Sequence, residues 1–377
     1  MKTTARSSNS LPSALSLSSS LLGGLACAAF VAGCGGAGGA TGQGPATTTT
    51  TDDLRATIGP QGGELLGTAG SAFDGVAIVI PAGALAKDTD ISVHRVDAAT
   101  PLPATAVACG PEFAIEPAGL ALAVPATVTL PFDADTVTDH DRFGDEVKVW
   151  ALDGATWGQR PQTDSSDARV TIELDSLTTV GAGVNPPADE DVVHLSFTAN
   201  PKFLGCVARY PGDSSQAPVV QADVVRGSLN DGLFLRGTNI APGLAFDLFT
   251  VEHSSLLSDG TPDPAFKNFG LAWYQSDLEV GRDGKMRASI RTILLDQIFG
   301  FDPAVALAPT GTFEVGFWFN DPQDAVACGF DATKPTPFNG EHQAGPLAMI
   351  TLADATTGLG PLCTKPDTSV SPARCSP

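Results

Sequence analysis

The sequence is short of the residues and motifs on which most catalytic and nucleic-acid-binding sites depend. It has five histidines in 377 residues, and it contains no GxSxG, HExxH or Walker motif and no CxxC pair. We therefore expect no catalytic activity and no cofactor. Basic residues are also scarce, with 21 Lys and Arg against 42 Asp and Glu. A net charge of −21 repels phosphate backbones, so nucleic acid is not an expected partner.

The N-terminal apolar run, residues 21–30, is too short to span a bilayer as a permanent helix. It follows Lys2 and Arg6, which is the layout of a secretion signal. The run leads to Val31-Ala32-Gly33-Cys34, which resembles the lipobox of bacterial lipoproteins. The resemblance implies that residues 1–33 are removed and that Cys34 is lipidated. The membrane is then a partner through the lipid.

The predicted location follows from this anchor. Residues 34–53 are rich in Gly and Thr and are expected to form a flexible tether. We expect a lipid-anchored protein of the cell envelope that faces away from the cytoplasm. Gly35 is not the aspartate that retains lipoproteins at the inner membrane of some diderm bacteria. An outer-membrane location is therefore expected if the host is diderm.

Residues 54–184 carry short apolar segments separated by turn signals, such as the run 76–80, which Pro81 stops. This pattern predicts an antiparallel β-sandwich. Residues 80–85 (IPAGAL) and 124–130 (VPATVTL) resemble the β-sandwich domain shared by zonula occludens proteins, netrin receptors and ankyrins. The resemblance implies an interaction or spacer module without catalysis. Some relatives cleave themselves at a His-Phe-Ser site, which the corresponding residues 175–179 lack.

The remaining chain predicts a linker, a second domain and a tail. Residues 185–191 combine proline with charge, which favours a linker. Residues 192–365 predict a second antiparallel β domain, so the fold class is mainly β with two sandwich-like domains. This domain resembles an uncharacterised domain of secreted and envelope bacterial proteins that carries no established activity. Residues 366–377 are the expected tail. The predicted strands of the second domain are 193–198, 232–236, 245–251, 270–275, 287–294, 313–319 and 347–351.

Four residues of the second domain are candidates for ligand binding. Trp273, Asp321, Glu341 and His342 combine aromatic and polar side chains near predicted turns, which is typical of the mouth of a binding pocket. The alternative is an aromatic core closed by turns whose polar side chains cap backbone groups.

An acidic stretch of the first domain suggests a possible metal site. Asp133, Asp135, Asp139 and Asp141 lie close together in sequence, and calcium prefers oxygen ligands. Their spacing matches no known calcium loop, so calcium is the weaker hypothesis. A solvated acidic loop is the alternative.

The cysteines predict disulfides in an oxidising compartment. Cys27 leaves with the signal and Cys34 takes the lipid, so five of the seven remain and at least one is unpaired within the chain. The candidates are Cys328, Cys363 and Cys206. We favour a Cys328–Cys363 bond, with Cys206 bonded to either of them as the alternative.

The sequence therefore predicts a non-catalytic cell-envelope lipoprotein that acts as a binding or structural module at the membrane surface. An envelope protein or a surface polymer is the expected partner. Two alternatives stay open. One is a lipoprotein that binds a small ligand or calcium, and the other is an enzyme with an unfamiliar site around Asp321, Glu341 and His342.

Overall fold

A computed structural model describes residues 48–49, 53–96, 101–166, 168–228, 230–292, 295–296, 311–336 and 343–376. These residues are mainly β and their strands pair antiparallel, which confirms the predicted fold class. They belong to one compact unit, Gly44–Pro377. No helix in the described part of the chain has both the length and the apolar character needed to cross a membrane.

The first sandwich has two facing sheets. One sheet has the order β1-β2-β5-β7-β13-β9-β10, with β6 also paired to β13, and the other has the order β11-β12-β8-β4-β3. The strands are β1 Thr48–Thr49, β2 Leu54–Ile58, β3 Gly63–Leu66, β4 Ala77–Ile80, β5 Thr89–Val96, β6 Val107–Ala108, β7 Glu112–Glu116, β8 Ala121–Pro131, β9 Lys148–Asp153, β10 Thr156–Arg160, β11 Gln162–Ser166, β12 Arg169–Ser176 and β13 Thr179–Val184.

Period-two alternation builds this sandwich. In β2, Leu54, Ala56 and Ile58 are buried while the residues between them are exposed, because successive side chains of a strand point to opposite faces. Inward side chains of both sheets form one hydrophobic core. Helix α1, Ala134–Asp139, and the 3-10 helix Gly144–Glu146 connect β8 to β9.

The second sandwich pairs a four-stranded sheet, β14-β16-β17-β20, with a five-stranded sheet, β15-β22-β21-β18-β19. Its strands are β14 Val192–Ser196, β15 Thr198–Ala199, β16 Val219–Val225, β17 Asp231–Thr238, β18 Ala245–Val251, β19 Ala272–Glu279, β20 Met286–Thr292, β21 Glu314–Phe319 and β22 Leu347–Ile350. Helix α2, Leu204–Val207, and 3-10 helices at Asp189–Asp191, Ser214–Gln216 and Pro322–Cys328 complete it. The short strands β23 Pro366–Asp367 and β24 Arg374–Cys375 form a hairpin in the predicted tail.

The five-stranded sheet is covered on both faces. Val315, Phe317 and Phe319 of β21 point into the core shared with the four-stranded sheet. Trp318 points the other way and packs in a second cluster with Phe249. All six residues of β21 are therefore buried. The covering segment on this second face also forms the cleft described below.

The predicted strands of the second domain agree with the structure to different degrees. The predicted strand 245–251 coincides with β18, whereas β19 starts and ends later than the predicted 270–275. Strand β16 was not predicted, although Val220, Ala222 and Val224 alternate along it and are buried. Strand ends depend on the partner strand, which local patterns do not encode.

Candidate functional site

A cleft of about 560 Å³ lies beside one end of the five-stranded sheet. At this end Val251, the last residue of β18, pairs with Glu314, the first residue of β21. The walls come from residues 252–268 after β18, from Glu314, and from residues 353–358 after β22. The volume falls in the range of small-molecule sites.

Polar side chains hold the turns that form these walls. Asp263 accepts a hydrogen bond from the backbone N–H of Ala265 at 2.8 Å, and Asp354 accepts one from Thr356 at 3.0 Å. These are turns in which a carboxylate bonds its own chain two residues on. Both carboxylates are therefore engaged in shaping the cleft.

Glu314 is the deeply buried carboxyl group of the cleft, with 2% of its surface exposed. Thr351 Oγ1 donates to its Oε2 at 2.5 Å, and the same hydroxyl accepts from the backbone N–H of Val315 at 2.9 Å. Among the described residues, no Lys, Arg or His forms an ion pair with this carboxyl group. Burial raises the pKa of Glu314 to about 7, and the bond from Thr351 only partly offsets this.

The local sequence explains why Glu314 is buried. It lies on the same face of β21 as Trp318, whose ring packs edge-on against Phe249 and Phe269. The backbone of Gly360 lies against the carboxyl group, because a Cβ at that position would be 2.8 Å from Glu314 Cδ. The chain segment around residue 360 thus covers one side of the carboxyl group.

Acidic groups outnumber basic groups in the cleft lining. Glu252 Oε2 accepts from the backbone N–H of Leu271 at 2.7 Å, and the imidazole of His253 is exposed to solvent. The cleft therefore favours a cationic guest over an anionic one. Its charged and titratable residues are Glu252, His253, Asp263, Lys267, Glu314 and Asp354.

The cleft carboxylates do not converge on one point. In the described part of the chain, the group of potential metal ligands whose donor atoms lie within 4.8 Å of one another is Asp296, Cys363 and Cys375, outside the cleft. In that group the two cysteines are joined in a disulfide, so their sulfurs are not available as thiolate ligands.

Two of the predicted ligand-binding residues lie far apart. Trp273 is 45% exposed on the edge strand β19, where it pairs with Thr250. Thr250 also pairs with Val315 on the neighbouring strand β21. Asp321 follows that strand and is six residues beyond Val315. At about 3.3 Å per residue, Asp321 is roughly 20 Å farther along the sheet.

Asp321 has a structural role in the described residues. Its carboxylate accepts from the backbone N–H of Gln323 at 2.8 Å and caps the 3-10 helix Pro322–Cys328. This matches the alternative in which polar side chains cap turns. The other two candidates, Glu341 and His342, lie outside the described residues, as does the lipidation candidate Cys34.

The acidic residues considered for calcium face arginines of the second sandwich. Asp133 caps α1 by accepting from the backbone N–H of Thr136 at 2.6 Å. Asp135 and Asp139 pair with Arg287 on β20, at 3.4 and 3.1 Å. A calcium ion bound there would have to compete with this arginine.

Arg236 on β17 is the centre of this contact. Its guanidinium bonds Asp141 and Asp139 of the first sandwich and also Asp223 of β16, the last at 2.8 Å. The backbone carbonyl of Thr138 accepts a further bond. Desolvation raises the pKa of Asp141, and the bond and charge of Arg236 oppose that shift.

An aromatic contact lies beside these ion pairs. The guanidinium of Arg291 is 4.1 Å from the ring centroid of Phe143 and makes two hydrogen bonds to Asp145. The ring of Phe143 also packs at 4.7 Å from that of Phe234. A Cβ at Gly232 would be 2.8 Å from the ring of Phe143, so a larger residue there would displace that ring. Ion pairs and ring contacts together join the two sandwiches.

The replacement Arg236→Ala is expected to lower the free energy of unfolding by about 2 kcal/mol, because it leaves half-buried carboxylates without their partner. Urea unfolding monitored by tryptophan fluorescence measures the loss. Lys334→Ala is the matched control, since its ion pair with Asp331 is exposed and should contribute less than about 0.5 kcal/mol. Equal losses in the two variants would contradict this role of Arg236.

The disulfides differ from the favoured pairing. Cys328 is bonded to Cys206, and Cys363 is bonded to Cys375. The predicted Cys328–Cys363 bond is therefore wrong, and the alternative that joins Cys206 to Cys328 is present. Helix α2 and the helix Pro322–Cys328 pack together and bring the first pair into reach, a proximity that sequence order does not reveal. Cys109 is buried and unpaired, and burial raises its pKa to about 12.

Sequence reasoning did not identify Glu314 as a site residue. A usable signal was present, because Glu314 is the charged residue of the otherwise apolar segment 313–319 (FEVGFWF). Burying a charge in a strand that is covered on both faces costs free energy, so such a residue is a candidate functional group.

No protein-family model matches the chain, and no significant match to a curated protein was found.

Proposed function

We propose that this protein is a non-catalytic lipoprotein of the cell envelope, in which the second sandwich binds a ligand and the first acts as a spacer. The observation that carries the proposal is the cleft of about 560 Å³ with Glu314 buried in its wall. A buried carboxyl group without a cationic partner costs stability, which is typical of functional sites.

The envelope location is supported by three features of the chain. The segment Val31-Ala32-Gly33-Cys34 fits a lipid-modified cysteine after a secretion signal. The bonds Cys206–Cys328 and Cys363–Cys375 are of the kind that persists in oxidising compartments outside the cytoplasm. The acidic composition suits a body that stands off anionic headgroups.

The spacer role is supported by how firmly the first sandwich is fixed to the second. Besides the arginine contacts, the predicted linker is held by hydrogen bonds at both ends. Arg142 Nε donates to the backbone carbonyl of Asn185 at 2.7 Å. The backbone N–H of Arg226 donates to the backbone carbonyl of Asp191 at 2.8 Å. A rigid pair of sandwiches on a Gly/Thr tether would hold the cleft away from the membrane.

The binding function is favoured over an enzymatic one by the cleft chemistry. A serine nucleophile needs a base within hydrogen-bond reach. In the described residues, no serine of the cleft hydrogen-bonds His253, and Ser254 Oγ instead accepts from the backbone N–H of Leu256. The partner we propose is a component of the envelope or its surroundings.

The replacement Cys34→Ala is expected to abolish incorporation of labelled palmitate and to shift the protein from the membrane to the soluble fraction, because the thiol is the lipid acceptor. Cys27→Ala is the matched control and should leave labelling intact. Labelling followed by fractionation measures both. Undiminished incorporation in the Cys34 variant would overturn the lipoprotein assignment.

A further inference from the structure

Glu314 has one carboxylate oxygen engaged by the protein and one available to a ligand. Thr351 donates to Oε2, and within the described residues Oε1 has no hydrogen-bond partner. The residue lines the cleft although only 2% of its surface is exposed. Glu314 thus lines the cleft with one carboxylate oxygen that no described residue engages.

The charges around this oxygen favour a cationic ligand. Three further carboxyl groups, those of Glu252, Asp263 and Asp354, line the same cleft. The ammonium of Lys267 is exposed and forms no ion pair with any described carboxylate. The cleft therefore carries an excess of negative charge around an acceptor that no cation of the described protein neutralises.

The geometry argues against a metal ion as that cation. Ligand atoms of the cleft carboxylates are not gathered within the distance that a single ion requires. Asp263 and Asp354 are committed to their turns, and Glu252 accepts from Leu271. A metal ion would need several of these oxygens, whereas a ligand with one localised positive charge can pair with Glu314 by itself.

Apolar side chains supply the rest of the contact surface. Leu256, Leu257 and Phe266 line the cleft together with small alanine residues. The ring of Phe266 packs edge-on against Phe269 at 4.7 Å, which fixes its position. The aliphatic part of a ligand would bury apolar surface against these side chains, which favours binding.

We propose that the cleft binds an organic ammonium ion, with a ligand N–H donating to Glu314 Oε1 and an aliphatic chain packed against Leu256 and Phe266. This inference rests on the proposed binding function of the cleft. Either a free amine or a lysine side chain of a peptide presents this chemistry.

Ammonium binding should be linked to the proton of Glu314. The carboxylate form accepts the ion pair, and burial raises the pKa of Glu314 to about 7. Affinity should therefore rise from pH 5 to pH 8 and a proton should be released on binding. The other groups facing the cleft are Glu252, His253, Asp263, Lys267 and Asp354. The variant His253→Gln is the control for the imidazole that lines the cleft.

The test is isothermal titration calorimetry of the purified full chain at pH 8. Pentylamine and 1,5-diaminopentane are the ammonium probes, 1-pentanol and pentanoate are probes of matched length, and the peptide acetyl-Gly-Lys-Gly-amide presents a lysine side chain. Ammonium probes should bind at least tenfold more tightly than the alcohol or the acid. Glu314→Gln should weaken their binding 10- to 100-fold, the effect of losing a charge-assisted bond. Glu112→Gln, at a buried glutamate of the first sandwich, should change nothing.

Three outcomes would overturn the inference. These are equal binding of 1-pentanol, unchanged affinity in Glu314→Gln, and no binding of any ammonium probe at millimolar concentration. Binding of only the alcohol or the acid, lost in Glu314→Gln, would end the ammonium assignment while leaving a ligand-binding cleft. Preference for the peptide over the diamine would identify a protein-borne lysine as the source. The palmitate experiment tests the envelope anchor independently of all these results.

Discussion

Replacing Cys206 and Cys328 together with alanine is expected to lower the free energy of unfolding by about 4 kcal/mol. The two residues are separated by 122 positions, so their bond removes much of the freedom of the unfolded chain. Both also pack against the core of the second sandwich, and alanine leaves part of that space empty. Urea unfolding of the wild type and the double variant, both without reducing agent, measures the loss.

The second disulfide provides the matched control. Cys363 and Cys375 are only 12 positions apart, and their double replacement by alanine should cost about 2 to 3 kcal/mol. A reducing agent added to the wild type should reproduce the combined effect. Equal losses in both double variants would show that loop length does not set the contribution of these bonds.

The replacement Glu314→Gln is expected to stabilise the protein by about 2 to 3 kcal/mol at pH 8 and to have little effect near pH 4.5. Burial raises the pKa of Glu314 from its usual 4.5 to about 7, so the folded state holds this proton more tightly than the unfolded state. The stabilising contribution of the proton is fully present below pH 4.5 and is lost as pH rises through 7. Glutamine keeps the acceptor for Thr351 and never ionises.

Urea unfolding at pH 5 and pH 8 measures this difference. Glu279→Gln is the control, because Glu279 is exposed on β19 of the same sandwich and its replacement should change stability by less than about 0.5 kcal/mol at either pH. A Glu314 variant that is less stable than the wild type at pH 8 would mean that a cation of the folded protein pairs with this carboxylate.

The Glu314→Gln variant connects stability with ammonium binding. If the buried carboxylate exists for a ligand, Glu314→Gln should gain stability while it loses ammonium affinity. A structural role for the carboxylate predicts that both quantities fall together. Measuring the two on one purified variant therefore separates a binding group from a structural one.

Much of the fold could be predicted from local patterns. Alternating apolar residues mark β2, the predicted strand 245–251 coincides with β18, and turn signals delimit the strands of both sandwiches. Such patterns work because every strand side chain faces either core or solvent. The predicted strand 313–319 contains β21, but its apolar run could not show which side chains face which cluster, since alternation disappears when both faces of a sheet are buried.

The acidic stretch around Asp139 shows why local reading cannot assign partners. The sequence showed clustered carboxylates and allowed a calcium site or a solvated loop. In the folded chain, Arg236 and Arg287 approach from strands about 100 to 150 positions away and pair with these groups. Charge pairing across such a separation depends on how two sandwiches pack, which no short segment specifies.

The sequence by itself determined the mainly β class and two sandwich-forming regions, and its N-terminal segment ends in four residues that resemble a lipobox. These features are written in composition, in periodicity and in short motifs, so each can be read within a few neighbouring residues. Only the tertiary structure decided which cysteines bond, which acids meet arginines, and that Glu314 faces a cleft. The reason is that contacts between residues far apart in sequence depend on chain topology, and the pKa of Glu314 depends on the burial that those contacts create.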